Sequence, residues 1–183
     1  MKISILLPYK ENFSPSYPGA VSLFVNDTTK LSNYNNNITI YGHTTYKKIF
    51  RLKYVNIDLQ KKLFRSQSKH YVNKFLELHN KNPSDIIEIH NRPNYVLPLT
   101  HLKSSIVLYF HNDPLSMIGS KNVKERIFLL NRCSKIIFNS QWSKKRFLTK
   151  LKEIYHKSTK LEVIHQSIDK VKVDIKKKLN LLT

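Results

Sequence analysis

Seven short β-branched runs alternate with longer stretches whose apolar residues recur at helical spacing, and this alternation constrains the fold more than any other feature of the chain. The runs lie at 3–7, 38–41, 53–57, 86–89, 106–110, 136–139 and 161–164. Most are apolar throughout, as strands covered on both faces should be. Between them, 20–33, 59–80, 123–133 and 141–154 read as helices, with Leu63, Tyr71, Phe75 and Leu78 marking one face of the second. Asp58 is placed to cap that helix and Ser140 to cap the last, while Asn82-Pro83 ends the former and Asn35-Asn36-Asn37 reads as a turn. Helices between strands carry the chain back to begin each strand in the same direction. The expected fold is therefore α/β: a Rossmann-like, doubly wound, mainly parallel sheet flanked by helices on both faces. Residues 1–169 make up this domain. From 170 to 183 periodicity gives way to charge, as in a linker or the start of another domain.

Composition narrows the setting. A chain of 183 residues with 40% hydrophobic content can bury a real core, and its apolar runs fall far short of the ~20 residues that span a bilayer. Membrane-spanning and fully disordered classes are excluded. The apolar start is too short for a signal peptide and the lone Cys133 has no disulfide partner, so a cytoplasmic protein is expected. Its formal net charge of +20 attracts polyanions: nucleic acid, an anionic membrane leaflet or phosphorylated substrates. A blander origin competes, because Lys, Asn and Ile, residues with AT-rich codons, supply a third of the chain, and Arg, the better residue for bidentate phosphate contacts, is not enriched. No zinc finger, RNA-recognition signature, nucleotide P-loop or dinucleotide fingerprint is present, so no specific nucleic acid is expected.

In a doubly wound sheet, ligands sit outside the carboxyl ends of the strands. After the first run, a long loop leads to Gly19-Ala20 at a helix start, where a missing side chain lets a phosphate approach backbone N–H groups. Three later strand ends carry polar clusters: Glu88-Ile89-His90-Asn91-Arg92-Pro93, His111-Asn112-Asp113-Pro114-Leu115-Ser116 and Asn139-Ser140-Gln141-Trp142. His90 and His111 at equivalent ends of neighbouring strands point to one crevice, where an imidazole can move a proton or bind a hydroxyl. Neither fits a compact metal-ligand motif, so no metal and no cofactor are expected. Ser140 lacks the glycines of a nucleophile elbow, and Cys133 is placed as a core thiol.

The order of segments resembles the N-terminal domain of a family 4 glycosyltransferase of the GT-B fold. The likeness rests on the first strand with its long loop and Gly-containing helix start, and on Asp85-Ile86-Ile87-Glu88-Ile89-His90-Asn91. It extends to Val107-Leu108-Tyr109-Phe110-His111-Asn112-Asp113, the segment from Lys135 to Lys144, and Val163-Ile164-His165-Gln166-Ser167-Ile168-Asp169. His165-Gln166-Ser167 stands where the family usually has Pro-Asn-Gly, and Gly19-Ala20 where it has a glycine pair. The resemblance implies half of an enzyme that transfers a sugar from a nucleotide-sugar donor to a hydroxyl acceptor, with retention and without a metal, the donor bound mostly by a C-terminal domain that would begin near residue 170. It implies Gly19 and Ala20 as backbone donors to the diphosphate, and His111 as the catalytic residue beside the reacting sugar. His90, Asn91, Asn112, Asp113 and Ser140 would contact substrate. Saccharide or glycolipid is the implied acceptor, which makes a peripheral position at the inner face of a membrane compatible. The alternative is a non-catalytic basic α/β module that binds nucleic acid or an anionic membrane surface.

Overall fold

The computed structural model describes residues 1–59 and 66–166. Its strands are β1 (Ile3–Leu6), β2 (Ile38–Gly42), β3 (Tyr54–Asn56), β4 (Ile86–His90), β5 (Ser105–Phe110), β6 (Lys135–Phe138) and β7 (Leu161–Val163), one for each β-branched run. All pair in parallel in the order β3-β2-β1-β4-β5-β6-β7. The helices are α1 (Ala20–Leu31), α2 (Gln67–Lys81), α3 (Val96–Leu99), α4 (Val123–Arg132), α5 (Gln141–Leu148) and α6 (Glu153–His156). The Rossmann-like α/β expectation holds. Because β1 pairs on one side with β2 and on the other with β4, the chain reverses its direction of progress beside β1, and loops leaving β1 and β4 diverge to open a crevice there.

Three element boundaries differ from the sequence reading. Ser66, not Asp58, stands at the N-cap of α2; Asp58 and Leu59 lie in irregular chain, and Leu63 falls outside the described residues. The long helix expected over 141–154 is broken into α5 and α6. Lys150 adopts a left-handed φ of 61°, Leu151 turns into the core, and buried Arg126 donates from Nη2 to the Thr149 carbonyl at 2.6 Å. Tertiary demand thus overrides helical periodicity at that point. Finally, the 93–99 segment, unassigned by pattern, folds as a 3-10 turn (Pro93–Tyr95) running into α3. The Asn triplet forms a single 3-10 turn, and Ser140 caps α5 by accepting from the Ser143 amide at 3.2 Å. Helix α4 starts on a reciprocal capping box between Asn122 and Glu125.

Alternation along the strands divides the core in two. Leu6, Ile87, Ile89, Leu108, Phe110, Ile136 and Phe138 face α2, α3, α4 and α5 in the larger cluster. Ile5, Leu7, Ile38 and Ile40 meet Phe13 and, from α1, the buried Val21 and Val25 with the partly buried Phe24 in the smaller. Both faces are covered, but unequally. Over β4 to β6 the α1 face keeps Glu88, Val107 and Ile137 half-buried, which explains how a carboxylate is tolerated in a central strand.

Candidate functional site

The crevice beside β1 is a cleft of about 290 Å³. Pro8 and Glu11 from the β1 loop and Ala20 and Val21 from the first turn of α1 form one wall. Asn91, Arg92, His111 and Asn112 from the ends of β4 and β5 form the other, and Gln166 closes it. A larger and more apolar cavity, about 600 Å³ between α2 and α3 and lined in part by Val72, Tyr95, Leu97 and Ile118, holds none of the residues singled out by motif.

His111 is fixed from every side. Its main-chain N–H donates to Asn91 Oδ1 at 2.8 Å, and its carbonyl accepts from Asn139 Nδ2 at 2.6 Å. Asn91 itself has a left-handed φ of 52°, a conformation its short polar side chain tolerates better than most. The His111 ring stacks on Tyr109 with centroids 4.4 Å apart and receives the edge of Phe24 from α1 at 5.0 Å. Its Nε2 lies 2.8 Å from Nδ1 of fully buried His90, whose Nε2 lies 2.7 Å from Glu88 Oε1. On the cleft side, Gln166 Nε2 donates to His111 Nδ1. Burial, with His90 second, pushes the His111 pKa down to about 3, so the ring is neutral at ordinary pH. Burial, followed by the charge of Glu88, raises the Tyr109 phenol to about 12. A neutral imidazole in such a place exchanges hydrogen bonds with ligand hydroxyls rather than carrying charge.

At the start of α1 the geometry departs from expectation. With Glu11 in its observed position Gly19 has no room for a side chain, since a Cβ there would lie 1.8 Å from Glu11 Oε1. That same oxygen accepts from the Ser22 amide at 3.0 Å, so a carboxylate of the chain itself sits where an anion is favoured by the unpaired N–H groups and helix dipole. Glycine here makes room for Glu11. No side chain caps α1 through its N-cap residue.

The remaining sequence candidates sort by position. His90, Asn91, His111, Asn112 and Ala20 come together at or directly behind the cleft. Asp113 does not line it: its carboxylate pairs with Arg146 at 2.9 Å and caps the following turn through the Leu115 amide, and the Arg146 hydrogen bond holds it below the usual carboxylate range. The Ser140 hydroxyl serves the α5 cap and contacts Asn139 and Ser143. Cys133 is buried at the end of α4, its thiol pushed up to about 12 by desolvation. The sequence motifs contain Glu88, Asn139 and Gln166, but sequence reasoning gave neither these nor Glu11 a role of their own. Glu88 carried a usable signal, a charge within a run of isoleucines two residues before His90 and therefore on the same face of the strand.

No family model and no curated protein matches the sequence. Among solved structures, the chain is similar to HepE of Anabaena. Against that protein in complex with UDP and glucose, the TM-score is 0.67 at 18% identity, over 100% of this chain and 50% of that one. Against its complex with UDP-glucose the TM-score is 0.67 at 15% identity, and against its complex with UDP it is 0.64 at 18%. The chain spans about half the length of these structures, and at such identities the likeness establishes a shared fold.

Proposed function

We propose that this chain is the N-terminal, acceptor-side half of a retaining, metal-independent glycosyltransferase, which moves a sugar from a nucleotide-sugar donor to a hydroxyl of a saccharide or glycolipid acceptor. The observation that carries this reading is the cleft at the reversal of strand order, where a neutral, doubly anchored histidine faces the anion-attracting start of α1. The fold shared with a protein solved with UDP and glucose supports it. In this scheme the reacting sugar lies against His111, Asn91 and Asn112, and acceptor hydroxyls approach along the β4 and β5 ends. The donor diphosphate reaches the Ala20 and Val21 amides and displaces the Glu11 carboxylate as it does so, exchanging one anion for another. Most donor contacts come from a second domain that follows residue 169. The protein works in the cytoplasm, and exposed lysines around α5 and α6 draw it to an anionic membrane surface when the acceptor is lipid-linked.

The test uses residues 1–183 alone. Titration with UDP-glucose, followed by backbone amide NMR, is expected to show millimolar binding with shift changes concentrated at Ala20, Val21, Asn91, His111 and Asn112. Changes confined to other surfaces would overturn the placement of the site. Micromolar affinity of the chain alone would overturn its reading as the half that lacks the main donor contacts.

A further inference from the structure

We propose that Glu88 and His90 are positioning residues that fix the tautomer of His111, leaving its Nε2 protonated and its Nδ1 lone pair turned to the cleft. The inference rests on His111 belonging to the ligand site, as proposed above, but its logic is set by hydrogen-bond polarity within the chain. Glu88 Oε1 lies 2.7 Å from His90 Nε2. The approach lies off the line of a hydrogen bond, yet a carboxylate oxygen offers lone pairs only and would repel a bare nitrogen lone pair at that separation, so Nε2 of His90 carries the hydrogen. With its one N–H there, a neutral His90 presents Nδ1 as an acceptor. Its neighbour at 2.8 Å, Nε2 of His111, must be the donor. That leaves Nδ1 of His111 unprotonated, and there the Gln166 amide nitrogen, a group that can only donate, completes the chain.

Polarity thus runs in one direction over four side chains, its sense set at the Glu88 end, since the exposed Gln166 amide can present either its nitrogen or its oxygen. An imidazolium at His90 would instead donate at both nitrogens and place the His111 hydrogen on Nδ1, a form its spectrum distinguishes. The stacked Tyr109 and the Phe24 edge hold both rings so that neither can escape by rotation. The consequence for binding is definite: whatever ligand group replaces Gln166 at Nδ1 must be a hydrogen-bond donor, a hydroxyl or an N–H, and a phosphate or carboxylate oxygen is repelled. Glu88 touches neither the cleft nor the ligand, yet it sets this preference from the far side of His90.

Two-bond 1H–15N correlation spectra of the chain labelled at histidine report the tautomer of each ring directly. In the unsubstituted protein at neutral pH, His90 and His111 are both expected in the Nε2–H form; an Nδ1–H form at either overturns the proposal. Glu88→Met removes the acceptor and is expected to abolish the single-tautomer spectrum of His111. Glu88→Gln, whose carbonyl oxygen still accepts, is expected to retain it. An unchanged His111 spectrum in a folded Glu88→Met protein would overturn the coupling, and if that variant does not fold the unsubstituted spectrum decides alone. Because these spectra need no ligand, a failed UDP-glucose titration with the expected tautomers would count against the glycosyltransferase reading only.

Discussion

Substituting Gly19 by alanine isolates the contact between Glu11 and the start of α1. The new Cβ would stand 1.8 Å from Oε1 and 2.4 Å from Cδ of Glu11, far inside any permitted contact. The obstacle is the far end of a flexible side chain, so the carboxylate swings out and the backbone stays in place. What is lost is the charge-assisted hydrogen bond to the Ser22 amide, 3.0 Å long, together with its attraction to the helix dipole. A hydrogen bond to a charged group and a dipole contact of this kind together contribute about 1.5 kcal/mol at a partly exposed site. Replacing glycine by alanine at an N-cap costs roughly another 0.5 kcal/mol by itself. Gly19→Ala should thus destabilise by about 2 kcal/mol and Glu11→Ala by about 1.5 kcal/mol, while the double variant should lose only about 2 kcal/mol, since the same contact cannot be lost twice. For a chain of this size about 1 kcal/mol moves the melting temperature by ~2–4 °C, so the cycle is readable by calorimetry or urea unfolding. If the two single effects add to within ~0.5 kcal/mol, Glu11 does not occupy the helix start and the reason given for glycine at position 19 fails.

Three further outcomes are expected. His111, held near pKa 3 in the fold against 6.5 when unfolded, binds its proton only in the unfolded state between those values. Stability should therefore be full above pH 6.5 and fall as the pH drops below it, by up to ~1.4 kcal/mol per pH unit from this group. His111→Asn should flatten the slope between pH 6.5 and 5 in urea titrations, and an unaltered slope would show that the ring is not desolvated. Arg126, buried and in no ion pair among the described residues, donates to the carbonyls of Ser120, Lys121 and Thr149. Arg126→Met should cost about 3 kcal/mol by stranding those acceptors, with unfolding midpoints as the measure and a loss below ~1 kcal/mol as the contrary result. Around α5 and α6, Trp142 and Ile154 are exposed beside Lys145, Lys150, Lys152 and Lys157. Co-sedimentation should show salt-sensitive binding to anionic vesicles and none to neutral ones; equal behaviour toward both would assign the excess charge to composition.

The strands were legible because each is a short β-branched run, and parallel strands that end on one side must bring their trailing residues together. That is why His90, Asn91, His111 and Asn112 could be grouped before any coordinates were known. Glu11 was not, because its partner is a helix start that the loop reaches only after folding back, and no periodicity encodes that return. Asp113 was misjudged for a similar reason: Arg146 lies beyond helix α4, strand β6 and most of α5, and nothing local announces the pair. The break between α5 and α6 was hidden as well. Leucines at helical spacing continue through residues 148–151, while the left-handed turn at Lys150 is imposed by Arg126 and by the burial of Leu151.

The unequal covering of the sheet bears on motion. Of the five buried residues of α1, three are Ser22, Asn26 and Thr29, and an oxygen of each lacks a partner among the described residues. Apart from the partly buried Phe24, Val21 and Val25 alone anchor this helix, whereas α2 buries Tyr71, Val72 and Phe75 in the larger cluster. Local opening free energy follows such differences in apolar contact. Amide hydrogen exchange should accordingly be fastest, among the longer helices, in α1. Since α1 carries both the Phe24 edge that holds His111 and the amides at the cleft wall, the cleft is bounded on one side by a wall that opens more readily than the sheet it leans on. A ligand bridging Ala20 and His111 would tie that wall down, and slowed exchange in α1 would record its arrival even where affinity is too weak to measure heat.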